Sequence, residues 1–277
     1  MKKTLTITSF CLFLATSFAF GLNFTTIDVP GATFTAVEGI NGTDKIVGFY
    51  NTGGPSNGFV LKNGAFTIVA FPGALDTACY GINSHGYIVG QYDTDGVTIH
   101  GFLLKGGVFR TIDFPGATAT NPQGINDSGA IVGFYTDSGG SDHGFLFNNG
   151  KFTTIDFPGA TGTRLYGISG SGKFVGLYLD GAISHGFLFS KNRFTTIEPT
   201  GALSSEARGI NVNGEIVGVY RAANSMFHAF LFSNGTFTDT DVPGALQTRN
   251  RSINVGGEIA GNYDDGSGNT HGFVATR

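Results

Sequence analysis

Read by polarity, the chain is a succession of short apolar runs separated by small polar clusters, a pattern clearest from Asn121 onward. Residues 121–158 read NPQGIN, DSG, AIVGFY, TDSGGSD, HGFLF, NNG and KFTTIDFP. AIVGFY and HGFLF are almost continuously apolar where a half-solvated strand would alternate, so both are predicted strands buried on two faces. Asp127-Ser128-Gly129 and Asn149-Gly150 predict tight hairpin turns, because Gly, Asn and Asp reach positive φ at little cost. The segment is expected to form four short antiparallel strands.

The same pattern recurs along the chain. GIN or a close variant begins at Gly39, Gly81, Gly124, Gly167, Gly209 and Ser252, with spacings of 42, 43, 43, 42 and 43. An HGF element keeps step with it: Asn57-Gly58-Phe59, then copies starting at His100, His143, His185, His228 (as His-Ala-Phe) and His271. PGA starts at Pro30, Pro72, Pro115, Pro158 and Pro243, with Thr200 in the remaining proline slot. Three markers in register define six repeats.

Strands buried on both faces, four per repeat, predict the blades of a β-propeller. Gly133, matched by Gly48, Gly90, Gly176, Gly218 and Gly261, is expected to let neighbouring blades approach closely. The phase of the two ends predicts a ring. Phe24 to Pro30 is a fourth strand without the preceding three, and Ser252 to Thr276 supplies three strands without a fourth. Joining them gives six four-stranded blades, closed by the N-terminal strand completing the last blade, and leaves no open sheet edge.

Lys2 and Lys3 followed by an apolar run to Ala19 and the Ser17-Phe18-Ala19 pattern read as a signal peptide over residues 1–19. Residues 20–277 are then a single exported six-repeat domain, extracellular or periplasmic. No later apolar stretch of about 20 residues predicts a membrane span. Without Lys2 and Lys3 the 16 basic residues become 14 against 20 acidic ones, a net charge of −6, which excludes a basic nucleic-acid footprint. Cys11 leaves with the leader, so Cys79 has no partner for an internal disulfide. With 45 Gly and 27 Phe, the composition favours strands and turns over helices.

The repeat resembles the HAF-type extracellular repeat proteins of bacteria, whose units carry the His-Ala/Gly-Phe element and the GIN...G.IVG pattern. His228-Ala229-Phe230 reproduces the element, and the resemblance covers essentially all of residues 20–277. It implies export and a repeat-built β fold, and it carries no activity over to individual residues. WD40 repeats have a similar period, but this chain has no Trp.

Taking Asn149-Gly150 as a two-residue turn sets His143 opposite Asp156. The same arithmetic pairs His100 with Asp113, His185 with Glu198 and His228 with Asp241, while ring closure sets His271 against Asp28. Asn57 and Ala70 replace base and acid together, which marks a structural bridge rather than a catalytic dyad. Asp93-Thr94-Asp95-Gly96, Asp137 with Asp142, and Asp264-Asp265-Gly266 read as Asp-Gly turns, because each loop is too short for a full calcium motif. Neither a metal site nor a cofactor is read from the sequence.

The connections from fourth to first and from second to third strands read as longer and more variable than the others, and both sets fall on one face, where a repeat scaffold concentrates function. The residue before each GIN is Glu38, Tyr80, Gln123, Tyr166, Arg208 or Arg251. Two positions earlier stand Ala36, Ala78, Asn121, Arg164, Glu206 and Arg249, and alternation points both sets towards the axis or its mouth. The expected ligand site is thus Glu38, Tyr80, Gln123, Arg164, Tyr166, Glu206, Arg208, Arg249 and Arg251. Arginine forks and tyrosine rings suit an anionic or glycan ligand. The function expected is an exported, monomeric binding module with an unknown extracellular ligand. The alternative is a propeller hydrolase or lyase acting on an acidic polysaccharide, with Glu38, Glu206 or Asp76 as acid or base and Tyr80 or Tyr166 in reserve.

Overall fold

The computed structural model describes residues 21–277 and a two-residue strand, Leu14–Ala15, set against Phe24 and Thr25. The rest of the expected leader lies outside the described residues. Every described element is a strand, and they fall into five sheets.

Four sheets are each one sequence repeat. In the clearest repeat, Ala119–Ile125, Ile131–Thr136, Asp142–Asn148 and Lys151–Ile155 pair in consecutive antiparallel order. The remaining strands form a nine-stranded sheet. Within it, Phe34–Ile40, Ile46–Asn51, Asn57–Lys62 and Ala65–Val69 make one such meander. Gln247–Ile253, Ile259–Asp264 and Thr270–Thr276 make three strands of another, and Asn23–Ile27 pairs antiparallel with the last of them, Ile27 facing Gly272. A single parallel pair, Thr270 with Phe34, joins the two arrays. The corresponding residues of two other neighbours, Ile99 and Ala119, make the same parallel bridge between sheets that otherwise stay separate. Four-stranded meanders packed face to face, with their first strands lining a common axis, make an all-β β-propeller.

Burial explains the apolar runs. The phenylalanine of each HGF element (Phe59, Phe102, Phe145, Phe187, Phe230 and Phe273) is at most 1% exposed, worth about 1.5–3 kcal/mol each relative to exposure. The cores lie between sheets as much as within them: Val132 of one repeat packs with Leu165, Phe174 and Phe187 of the next.

The glycine of the second strand works differently from expectation. A Cβ at Gly133 would overlap the carbonyl oxygen of Asn121 and crowd Phe145, both in its own sheet. It is the GIN glycine that brings neighbours together, since a Cβ at Gly124 would lie 2.6 Å from the Tyr166 carbonyl oxygen of the next repeat.

The two rims also differ from expectation. Third and fourth strands are joined by two residues such as Asn149 and Gly150, with φ of 50° and 77°, as a primed hairpin turn requires. First-to-second connections such as 126–130 are five residues in every repeat, which is no shorter than most second-to-third ones. Variation rather than length distinguishes the faces, with the second-to-third connection shrinking to residues 181–182 in one repeat.

The axial candidate site

In all six repeats the first strand breaks register at one position. The extra residue lies between Val37 and Gly39, Cys79 and Gly81, Pro122 and Gly124, Leu165 and Gly167, Ala207 and Gly209, and Asn250 and Ser252. The bulged residues are therefore Glu38, Tyr80, Gln123, Tyr166, Arg208 and Arg251. A bulge re-aims its side chain, and all six line one cavity of about 110 Å³.

The floor of this cavity is a ring of the GIN isoleucines, Ile40, Ile82, Ile125, Ile168, Ile210 and Ile253. The same isoleucines line a second cavity, whose wall includes the residue following each of them. There, side-chain amides run round the axis: Asn41 Nδ2 donates to Asn83 O (2.9 Å), Asn83 to Asn126 O (3.0 Å), and Asn126 to Ser169 O (3.3 Å). Asn211 donates to Asn254 O, and Asn254 to Asn41 O, both at 3.2 Å. The three motif residues thus divide the work, with Gly allowing close approach, Ile sealing the axis and Asn linking neighbours. In the sequence the motif serves only as a marker of the repeat, although asparagine in five of six copies is the signal of a shared partner.

Charges in the upper cavity are internally paired. Arg208 Nε donates to Glu206 Oε2 at 2.7 Å, its Nη2 also reaches that oxygen, and its guanidinium lies 3.8 Å from the Tyr166 ring centroid. Burial pushes the Glu206 carboxyl up, but Arg208 and then Arg251 outweigh it and hold it below the usual range. Arg251 is less satisfied. Its Nε stands 3.6 Å from Glu38 Oε1, too far for a hydrogen bond, and this buried atom has no partner among the described residues. Burial lowers the Arg251 pKa, with Glu38 opposing and Arg208 adding to the shift. Burial raises Tyr80 well above the usual phenol range, reinforced by Glu38 and opposed by Arg251 and Arg208. Tyr166 is also raised by burial, against Arg208.

The other expected site residues are placed elsewhere. Arg164 lies across a seam, with Nε 2.7 Å from Asp142 Oδ2 of the preceding repeat and its guanidinium 4.9 Å from the Phe134 ring centroid. Arg249 Nη1 donates to Asp264 Oδ2 at 3.0 Å within its own sheet. Neither lines the axial cavity, and Glu206 meets it through Arg208. Of the acid–base candidates, Asp76 accepts a hydrogen bond from the Ser56 backbone N–H.

All five histidine pairs form as strand register requires, four in hairpins and His271 with Asp28 across the paired terminal strands. His100, His143, His185 and His228 place Nδ1 within 2.8 Å of Asp113, Asp156, Glu198 and Asp241, and His271 lies 2.9 Å from Asp28. A tyrosine ring lies against each imidazole, as Tyr135 does at 5.2 Å from His143. The aspartate loops are self-capped: Asp95 accepts the N–H groups of Val97 and Thr98, Asp137 those of Gly139 and Ser141, and Asp265 those of Ser267 and Asn269.

No protein-family model matches the chain, and no curated protein matches it in sequence. Among solved structures it is similar to TolB from Acinetobacter baumannii, with 11% identity and a TM-score of 0.58 over 83% of this chain and 63% of that one. It is also similar to SapL1 lectin in complex with alpha methyl fucoside, with 10% identity and a TM-score of 0.59 over 85% and 90% of the two chains. AofleA from Arthrobotrys oligospora aligns at 10% identity and a TM-score of 0.60 over 92% and 86%. The chain thus spans less than two thirds of TolB, and at these identities the likeness is one of fold, an all-β β-propeller.

Proposed function

We propose that the chain is an exported binding module of the HAF-repeat type, a closed ring of six four-stranded blades that takes hold of a polar, glycan-type ligand at the axial mouth. The pairing of Asn23–Ile27 with Thr270–Thr276 supports closure by the N-terminal strand. The Thr270–Phe34 pair, equivalent to the Ile99–Ala119 bridge, supports reading the nine-stranded sheet as two blades touching at a seam.

Arg251 carries the functional reading. A buried guanidinium N–H without an acceptor is costly, and a ligand carboxylate or hydroxyl oxygen would satisfy it. The cavity of about 110 Å³ is smaller than the ~150 Å³ void that takes benzene. It suits one polar group inserted from the variable-loop face rather than a whole sugar ring. That SapL1 is a lectin in complex with alpha methyl fucoside supports a saccharide as the ligand class. Catalysis would need a carboxylate free to exchange a proton, whereas Glu206 is held by Arg208 and Glu38 lies beside Arg251.

The test is a glycan and organic-acid array probed with wild type and with the charge-neutral double variant Glu38→Gln/Arg251→Gln. A hit that weakens at least tenfold in the variant supports the axial site. Equal binding by both proteins removes it, and cleavage products in the same pool would favour the enzyme.

A further inference from the structure

A third cavity, of about 290 Å³, lies in the seam between the first two complete repeats, lined by Phe49 and Ser56 from one side and by Asp76, Ala78, Tyr80 and Gln91 from the other. Its chemistry is explained by the seam two repeats further on. There Phe134 and Tyr166 meet edge to face, with centroids 6.4 Å apart and an interplanar angle of 79°. Phe49 and Tyr80 stand at the equivalent positions with nearly the same geometry, 6.1 Å and 78°. In the later seam the space beside this aromatic pair is filled from within by Arg164, whose guanidinium packs on Phe134 and bonds Asp142. In the earlier seam the residue equivalent to Arg164 is Ala78, and the space is a cavity.

The countercharge is retained although its source changes. Ser56 replaces Asp142, but Asp76, where the later repeat has only Gly162, brings a carboxylate onto the Ser56 backbone N–H. Asp93 also lines the cavity and accepts the Gly96 N–H at 2.9 Å. Among the described residues no basic side chain lines it. The seam therefore has the same aromatic pair as its counterpart and carboxylates in its lining, without the cation that completes the counterpart.

We propose that this seam is a binding site for a guanidinium group, which would pack on Phe49 and pair with Asp76 as Arg164 packs on Phe134 and pairs with Asp142. A planar guanidinium matches both features, through its π-face and its forked N–H donors. The ligand is thus a small guanidine or the arginine side chain of a peptide. The site is independent of the axial cavity except for Tyr80, which borders both, and either reading can fail alone.

The probes are methylguanidinium and the blocked amino acid N-acetylarginine methylamide, titrated calorimetrically into the full chain, with N-acetyllysine methylamide for comparison. Saturable millimolar binding of methylguanidinium is expected, at least tenfold weaker in Asp76→Asn and absent in Ala78→Arg, which supplies the cation internally. Ala78→Arg should fold and melt no lower than wild type, because Arg164 already occupies the equivalent seam. Tighter binding of the blocked arginine than of methylguanidinium would identify a peptide side chain as the source, and the reverse a free guanidine. Absence of saturable binding by wild type, or binding by folded Ala78→Arg equal to wild type, would overturn the proposal. Lysine binding as tightly as arginine would overturn the guanidinium assignment.

Discussion

The side-chain amide of Asn254 donates to the carbonyl oxygen of Asn41, 3.2 Å away in space and 213 residues earlier in the chain. This bond is of the same kind and length as those joining sequence-adjacent repeats, which supports the proposed closure of the ring. The series has one interruption, at Ser169, whose hydroxyl turns back to Ser171 and to the carbonyl of Lys173. Ser169→Asn should complete it and add about 0.5–1.5 kcal/mol. Asn126→Ala should cost about 1–3 kcal/mol, because it strips the acceptor from the Ala130 N–H as well as the donor to Ser169. Denaturant unfolding of both variants checks the opposite signs.

His143 and Asp156 should couple in stability. A double-mutant cycle is expected to give about 0.5 kcal/mol, the partly exposed pair being screened by solvent. Additive effects would remove the bridge.

The pH dependence of that pair has a definite sign. The Asp156 hydrogen bond raises the folded pKa of His143, against burial and with help from the charges of Asp156 and Asp137. A raised pKa means the folded state binds the proton more tightly than the unfolded one. The extra stability is then fully present below the ordinary value of about 6.5 and lost as pH rises through the folded value. The thermal midpoint of wild type relative to His143→Gln should fall from about pH 5 to about pH 9. An unchanged difference across that range would contradict the assignment.

Single truncation of Arg208 should be damaging. Arg208→Ala leaves Glu206 partly buried without its partner, a loss of the kind that costs about 3–5 kcal/mol. Arg208→Gln combined with Glu206→Gln removes both charges and should recover most of that stability. Chemical denaturation of the single and double variants separates charge pairing from packing.

Ring closure is tested by moving one strand. Deleting residues 24–30 removes the partner of Thr270–Thr276, together with buried Phe24 and Ile27 and the Asp28–His271 pair. Several hydrogen bonds at about 1 kcal/mol each and two apolar side chains at about 1.5–3 kcal/mol each rival the whole stability of a domain, about 5–15 kcal/mol. Attaching the same segment after Arg277 through a short linker should restore the wild-type melting temperature. A deletion that melts cooperatively at the wild-type temperature would favour an open stack of sheets.

Features that depend on local geometry are legible in the chain alone. A two-residue turn at Asn149-Gly150 sets hairpin register, so the His143–Asp156 pair can be read by counting, and so can its copies. The constant repeat likewise brings the residues before each GIN to one axis. What lies between repeats follows only from their packing. Arg164, Arg208 and Arg249 look alike as polar residues near a mouth, yet they bind Asp142 across a seam, Glu206 in the same strand and Asp264 in the next strand. Alternation could not reveal that the axial residues are bulged, because an inserted residue leaves the apolar pattern on either side intact. Nor could it show that Gly133 relieves a clash within its own sheet while Gly124 fits against the next. A seam joins side chains of successive repeats, as Arg164 meets Asp142 22 positions earlier, and its shape follows from their volumes and partners, so only the folded chain distinguishes the seam that Arg164 fills from the one that Ala78 leaves as a cavity.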